Sequence, residues 1–403
     1  MSYALNKFVI INRNDNRGGA AIASFRLMEA LCRAGVDARM IVARKERDDE
    51  RIAAVAARWP FYRERLDVWL KNGHRRDPLF LLDPATRGVD LARHPWVKEA
   101  DAIVLGWINQ GMLSIADINR LTALGKPLLW VMHDMWNCTG ACHYTVDCER
   151  YKSTCTACPI IGRDGDDITT ATQRRKQALY AQAPIRFVAV SHALAERCRE
   201  SSLMRNCDIT VIANPFPAHE YRWEYLGDDS DDELVLAMGA ARLDDPVKGL
   251  DTLRDALTLV ERHSPALFSR LRLLLFGGIR DKSLLDTLPC RHEYLGMVAN
   301  PNDVLRRAHV VLSASRFESF GYTLVEGMAS GCLAVTTGNG GQRDIVTHRA
   351  NGYIADDAQG IADGIAWADD ARHRITRRQQ HDDIAARFGY PAIAARFLEL
   401  AGR

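Results

Sequence analysis

Short apolar runs alternate with stretches of helical periodicity through the first half of this chain. Phe8–Asn12, Ala38–Val42, Ala102–Leu105, Leu128–Met132, Phe187–Val190 and Thr210–Ala213 have strand length and are apolar almost throughout. Between them, Ala20–Ala34 and Ser114–Ala123 space their apolar residues as helices do, and the first stops at Gly35. Strands apolar on both faces and separated by helices predict a parallel sheet covered on both sides. Asn214–Pro215–Phe216–Pro217 breaks the pattern, because proline fixes its own φ and restricts the residue before it. The acidic stretch Asp228–Glu233 follows as a solvated connection. The alternation then resumes, with strands expected at Leu234–Met238, Leu271–Phe276, Val310–Ser313 and Leu333–Thr336. Helices are expected at Asp251–His263, Asp303–Ala308 and Leu324–Ser330. The expectation is an α/β protein of two Rossmann-like domains, 1–215 and 216–385, each with a parallel sheet.

The candidate chemistry sits where such sheets bind ligands, at the carboxyl ends of strands. Glu318–Ser–Phe–Gly–Tyr–Thr–Leu–Val–Glu326 follows the strand expected at Val310–Ser313. Glu318 falls in the strand-to-helix loop and Glu326 near the start of the next helix, so the two carboxylates can face one crevice. The amides of Phe320, Gly321 and Tyr322, near a helix start, could cradle an anion. Arg242 and Lys248–Gly249 come just after the strand at Leu234–Met238. Two cations there suit a departing diphosphate, which gains negative charge as its bond breaks. At the other end of the chain, Gly18–Gly19 makes a tight turn between the first strand and the first helix.

These three elements, in this order, resemble the retaining GT-B glycosyltransferases, in particular the large family 4. The resemblance implies two Rossmann-like domains whose sheets face a central cleft. It implies that the first domain takes the acceptor and the second the nucleotide sugar. A terminal helix over 386–403 would pack back on the first domain. Arg242 and Lys248 would grip the donor diphosphate, and Gly18–Gly19 would lie against the donor phosphates and sugar. Glu318 would touch the sugar hydroxyls and Glu326 the ribose. Base recognition would use backbone near Tyr294–Met297. His133, following Leu128–Met132, would orient the donor sugar. A retaining mechanism needs no dedicated protein base, since the leaving phosphate can take the acceptor's proton, and catalysis would be metal-independent.

Composition narrows the alternatives. The 403 residues carry 47% hydrophobic and 26% charged side chains, ordinary for a globular protein. No run approaches the roughly 20 apolar residues of a membrane-spanning helix. Met1–Lys7 leads directly into a strand without a basic-then-apolar signal segment, so a cytoplasmic location is expected. The formal net charge of +2 hides an asymmetry. Residues 1–215 hold 31 Lys and Arg against 24 Asp and Glu, whereas 216–403 hold 22 against 27. Arg58–Lys71, followed by Arg75 and Arg76, mixes aromatic and basic residues. It reads either as peripheral contact with the inner face of an anionic membrane or as a core-packed helix with a basic outer face.

Two further motifs carry candidate metal ligands. Asp164–Gly–Asp166 matches the Asp-x-Asp pattern that holds a divalent cation in GT-A enzymes, but acidic residues before a helical stretch also serve as caps. Cys142, Cys148, Cys155 and Cys158 lie within 17 residues, with Cys138 just upstream. Four thiolates can hold structural Zn²⁺, and Cys155-x2-Cys158 has a recurrent ligand-pair spacing; free thiols or disulfides stay open. The stretch resembles cysteine-bearing segments after His–Asp in some polysaccharide-assembly glycosyltransferases. The expected function is transfer of a sugar from a nucleotide donor to a glycan or lipid-linked glycan in capsule, exopolysaccharide or O-antigen assembly. The alternatives are a GT-B sugar-nucleotide epimerase or phosphorylase and, in another class, a zinc-containing nucleic-acid-binding protein. A nicotinamide dehydrogenase fits poorly, because Arg13–Gly19 lacks the G-x-G-x-x-G spacing.

Overall fold

The computed structural model describes residues 5–145, 147–227 and 232–402. Of the acidic connection Asp228–Glu233, only Asp232 and Glu233 fall among them, and Met1–Ala4 of the expected start lie outside. The chain divides into two compact units, Met1–Pro215 with Tyr390–Arg403, and Phe216–Gly389.

The first unit holds a seven-stranded sheet of β1 (Lys7–Asn14), β2 (Asp37–Arg44), β3 (Ile52–Ala54), β4 (Ala102–Leu105), β5 (Leu128–Met132), β6 (Ile185–Ala189) and β7 (Ile209–Val211). Their order is β3-β2-β1-β4-β5-β6-β7, every pair parallel. The second unit holds six strands, β8 (Leu234–Arg242), β9 (Leu271–Gly278), β10 (Arg291–Tyr294), β11 (Val310–Ser313), β12 (Leu333–Thr337) and β13 (Gly352–Ala355). They run in the order β10-β9-β8-β11-β12-β13, again all parallel. In both sheets the order reverses beside the first strand, which creates a switch point for ligands at the carboxyl ends.

Three strands absent from the apolar pattern, β3, β10 and β13, are edge strands. β3 and β10 are partly exposed, so their sequences need not be continuous apolar runs, whereas β13 is a short and mostly buried strand. The expected boundary at 385/386 moves to Gly389/Tyr390. The helix Arg377–Phe388 stays with the second unit, where the Phe388 ring meets Phe320 at 5.7 Å and its carbonyl accepts from the Phe216 amide. The helix Tyr390–Gly402 belongs to the first unit. There Arg186 donates to the carbonyls of Leu400 and Ala401, and Arg33 lies over the Tyr390 ring. Among the described residues no helix is long and apolar enough to cross a membrane.

Candidate active site

In the second unit, two loops at adjacent strand ends are drawn together by glycines. The β8 loop turns at Gly249, whose φ of 70° is left-handed, and a Cβ there would stand 2.0 Å from the Ala314 carbonyl oxygen. Arg316 N–H donates to the Val247 carbonyl, which joins the β8 loop to the β11 loop. Lys248 is thereby placed so that its Nζ donates to a Glu318 carboxylate oxygen at 2.8 Å. Both side chains are about a quarter to a third exposed. Arg242 ends β8 after a bulge and lies 3.3 Å from Asp245 and 3.6 Å from Asp244. Its Nε is buried without a hydrogen-bond partner.

The Phe–Gly turn has a definite job. Gly321 takes φ 112° as the residue capping the helix Tyr322–Ala329, and its carbonyl accepts from Leu324 and Val325. The helix starts earlier than Leu324 because Gly321 itself makes the turn, so Glu326 falls on the second turn and is half-buried. The first amides of this helix have no partner within it and carry the positive end of its dipole. Phe320 is buried, packed edge-on to Tyr322 at 5.1 Å. Thr323 Oγ1 reaches the Gly239 carbonyl on β8 at 3.4 Å, so the helix start and the β8 end share one site. Met297 is 76% exposed, beyond the β10 end.

One part of this site escaped the sequence reading. Gly338–Asn–Gly–Gly341, after β12, packs on the Glu318 main chain. Gly340 bridges Glu318, and Gly341 N–H donates to the Glu318 carbonyl at 2.8 Å. A Cβ at Gly340 would stand 2.0 Å from that carbonyl oxygen. The signal available was the glycine pair after a strand.

In the first unit, Gly18 has φ 85° and precedes the helix Gly19–Arg33; both glycines face open space. His133 Nε2 is buried without a hydrogen-bond partner, in a small cavity lined by Ser24, Asn214 and Phe397 among others. Burial pushes its pKa down to about 4, so it is neutral near pH 7. Asp134, beside it, is the hub of a buried network. It accepts from Trp107 Nε1 at 2.9 Å and from the Trp136 amide at 2.8 Å, and its Oδ2 lies 2.8 Å from His143 Nδ1. Burial alone would raise the Asp134 pKa, but the His143 charge and these hydrogen bonds hold it below the usual range. Burial alone would lower that of His143, but Asp134 raises it. His143, between Cys142 and Cys148, carries no signal in the sequence, because it follows no apolar run.

This pair makes a pH prediction. A raised His contributes stability below its unfolded pKa of about 6.5 and loses it as pH rises through the folded value. A depressed Asp contributes above about 3.9 and loses it as pH falls through the folded value. Asp134→Asn should cost on the order of 3 kcal/mol where the pair is fully charged, between those limits. Thermal midpoints of wild type and variant should draw together as pH rises from 6 to 9. A constant gap across that range would exclude the ion pair as the cause.

Elsewhere, Asp166 of the Asp-x-Asp triplet pairs with Arg174 at 2.7 Å on the surface. Among the described residues, no group of three or more His, Cys, Asp or Glu is arranged to hold a metal ion. Arg58–Lys71 forms a helix whose exposed residues are both apolar and basic, with Arg58, Arg63 and Lys71 among them. Trp59, Tyr62, Leu66 and Leu70 are half-exposed or more, while Glu64, Arg65 and Val68 turn inward. Arg65 donates to the Leu82 carbonyl and pairs with Asp83.

Residues 233–368, inside the second unit, match the family model described as Glycosyl transferases group 1. The chain is 28% identical over 187 residues to mannosylfructose-phosphate synthase of Agrobacterium fabrum, covering 42% of this chain and 40% of that one. The chain spans about half the length or less of the curated relatives it matches. Among solved structures it resembles HepE of Anabaena in complex with UDP, at TM-score 0.62 and 18% identity over 98% of both chains. It also resembles sucrose-phosphate synthase of Thermosynechococcus elongatus, at TM-score 0.62 and 15% identity over 98% of both. The fold is α/β of the GT-B type, shared with these glycosyltransferases.

Proposed function

We propose that this chain is a retaining glycosyltransferase of the family 4 type that uses a nucleoside-diphosphate sugar and needs no metal for catalysis. The observation that carries the reading is the pairing of Lys248 with Glu318 beside Arg242, at the switch point of the second sheet. A donor diphosphate there would meet Arg242, Lys248 and the helix amides at Gly321–Tyr322. These groups stabilise the charge that develops on the leaving phosphate. Glu318 would exchange its lysine contact for a donor sugar hydroxyl, and Glu326 would hold the ribose. The leaving phosphate would take the acceptor's proton, on the face from which the sugar is attacked. Gly18, Gly19 and His133 keep the donor-facing roles that the resemblance gives them, and a neutral His133 suits a hydrogen-bonding role rather than an acidic one. The group 1 match over 233–368, inside this unit, and the UDP held by the Anabaena neighbour support a nucleotide donor. Hydrolysis and transfer measured over UDP-, GDP-, ADP- and dTDP-sugars tests the reading. Turnover of one donor with retained anomeric configuration and full rate in chelator is expected; inversion, or no turnover of any donor, would overturn it.

The acceptor we propose is a lipid-linked glycan of surface-polysaccharide assembly, reached at an anionic membrane. The support is the exposed stripe of Trp59, Tyr62, Leu66 and Leu70, which recurs at helical spacing and is flanked by Arg58, Arg63, Lys71, Arg75 and Arg76. Apolar residues for the interface and cations for the headgroups are the two attractions such surfaces use. The protein should bind vesicles containing anionic lipid more strongly than neutral ones. Trp59→Glu with Leu66→Glu should reduce that binding at least about tenfold. Equal binding to neutral and anionic vesicles would remove the membrane surface from the reading.

A further inference from the structure

Four thiols of the first unit converge on one small cavity that the transfer chemistry does not use. Cys142, Cys148, Cys155 and Cys158 all line it. Cys138, equally close in sequence, is turned away: its Sγ lies 3.2 Å from the Met135 carbonyl and it neighbours Cys198. The fold therefore selects four of the five cysteines.

One amide of the cavity is aimed at sulfur. Gly140 N–H donates to Cys155 Sγ at 3.2 Å. The Thr139 hydroxyl donates to the Cys142 carbonyl at 2.6 Å, which holds that residue's backbone at the cavity. A neutral thiol is a weak acceptor, so a donor aimed at sulfur matters most for a thiolate. Gly140 is required for its approach, since a Cβ would stand 2.8 Å from Cys155 Cβ and 2.7 Å from the Thr169 carbonyl oxygen. The Cys155–Cys158 turn is itself held, with Ala157 at φ 46° and its N–H bonded to the Gly165 carbonyl.

A second observation is independent of the thiols. Lys176 is fully buried beside this cavity. Its Nζ donates to the Trp136 and Thr139 carbonyls and sits 3.3 Å from the Trp136 ring centre. Among the described residues no carboxylate pairs with it, and Asp134 is committed to His143. A buried ammonium without a counter-charge is costly.

We propose that Cys142, Cys148, Cys155 and Cys158 bind one structural zinc ion as thiolates, with Lys176 as its buried counter-charge. Binding releases the four thiol protons, so Zn²⁺ and four thiolates make a centre of charge −2 beside the lysine cation. Among the described residues the four are not arranged as a ligand group, so binding must reorient side chains, the half-buried Cys142 and Cys148 foremost. A closed tetrathiolate site leaves no position for water, so the zinc holds the loop and takes no part in transfer.

Elemental analysis of the full chain, purified without chelator or added zinc, tests this without reference to activity. One zinc per chain is expected, and Cys155→Ser should fall well below that. Replacement by Co²⁺ should give the thiolate charge-transfer absorption of a sulfur-rich tetrahedral site. Lys176→Met should lose zinc to a chelator about tenfold faster or more, as outer-shell partners do when removed. Far less than one zinc in the wild type, with all four thiols freely titratable under native conditions, overturns the site. One zinc retained in Cys155→Ser with Cys158→Ser places the metal elsewhere and overturns it too. Zinc held equally well by Lys176→Met removes the counter-charge.

Discussion

Lys248→Ala should lower sugar transfer by roughly 10²-fold or more while leaving the protein folded. The magnitude is that of losing one preorganised donor to a developing oxyanion. The folding cost is small because the Lys248–Glu318 pair is partly solvated, and such pairs contribute about 0–1 kcal/mol. The loss should appear in kcat more than in KM, since the charge that Lys248 meets grows as the bond to the sugar breaks. Thermal unfolding establishes that the variant is native, and steady-state kinetics with the donor found in the panel reads the effect. Wild-type turnover in a folded Lys248→Ala protein would remove Lys248 from the leaving-group clamp.

The second large effect is expected from a residue without a side chain. Gly340→Ala places a Cβ 2.0 Å from the Glu318 carbonyl oxygen and 3.0 Å from its carbonyl carbon. Backbone cannot rotate out of the way as a side-chain tip can, so the Glu318 loop must move. It also loses its bridge to Gly340 and strains the Gly341 N–H bond to the same carbonyl. A shift of about 1 Å at a positioning group costs on the order of 10²-fold in rate. Overpacking adds about 1–3 kcal/mol of destabilisation, which should lower the melting temperature. Titration with the nucleoside diphosphate separates the two roles. Binding through Glu326 and the helix amides should weaken less than turnover falls. Unchanged turnover would mean that the Gly338–Gly341 loop does not set the position of Glu318.

The two halves of the candidate site differed in how visible they were. Glu318 and Glu326, and Arg242 and Lys248, stand close to each other in sequence and follow apolar strands, so their place at a strand end or on the helix just after it was legible from periodicity alone. The loop Gly338–Gly341 lies after the next strand, and its contact with Glu318 depends on strand order, which local patterns do not encode. Asp134 drew attention only through its neighbour His133, yet it is Asp134 that gathers His143, Trp107 and Trp136. Those partners lie up to 27 residues away. The short edge strands β3 and β10 were missed for a related reason, since partly exposed strands need no continuous apolar run.

The alternation of apolar runs and helical stretches determined by itself that this is an α/β protein with parallel sheets, because strands buried on both faces and joined by helices have few other ways to hide their apolar surface. Spacing alone also put Glu318 and two cations at strand ends, with Glu326 on the helix that follows. What only the tertiary structure decided is which groups meet. Glycines at 249 and 340 let backbones approach within distances no Cβ permits, and that approach brings Lys248 onto Glu318. The same holds for the cysteines. Sequence spacing offered five thiols, and the packing of Cys138 toward Cys198 leaves four to face one cavity beside a buried lysine. Such choices rest on contacts between segments distant in the chain, and close packing rather than local propensity selects among them.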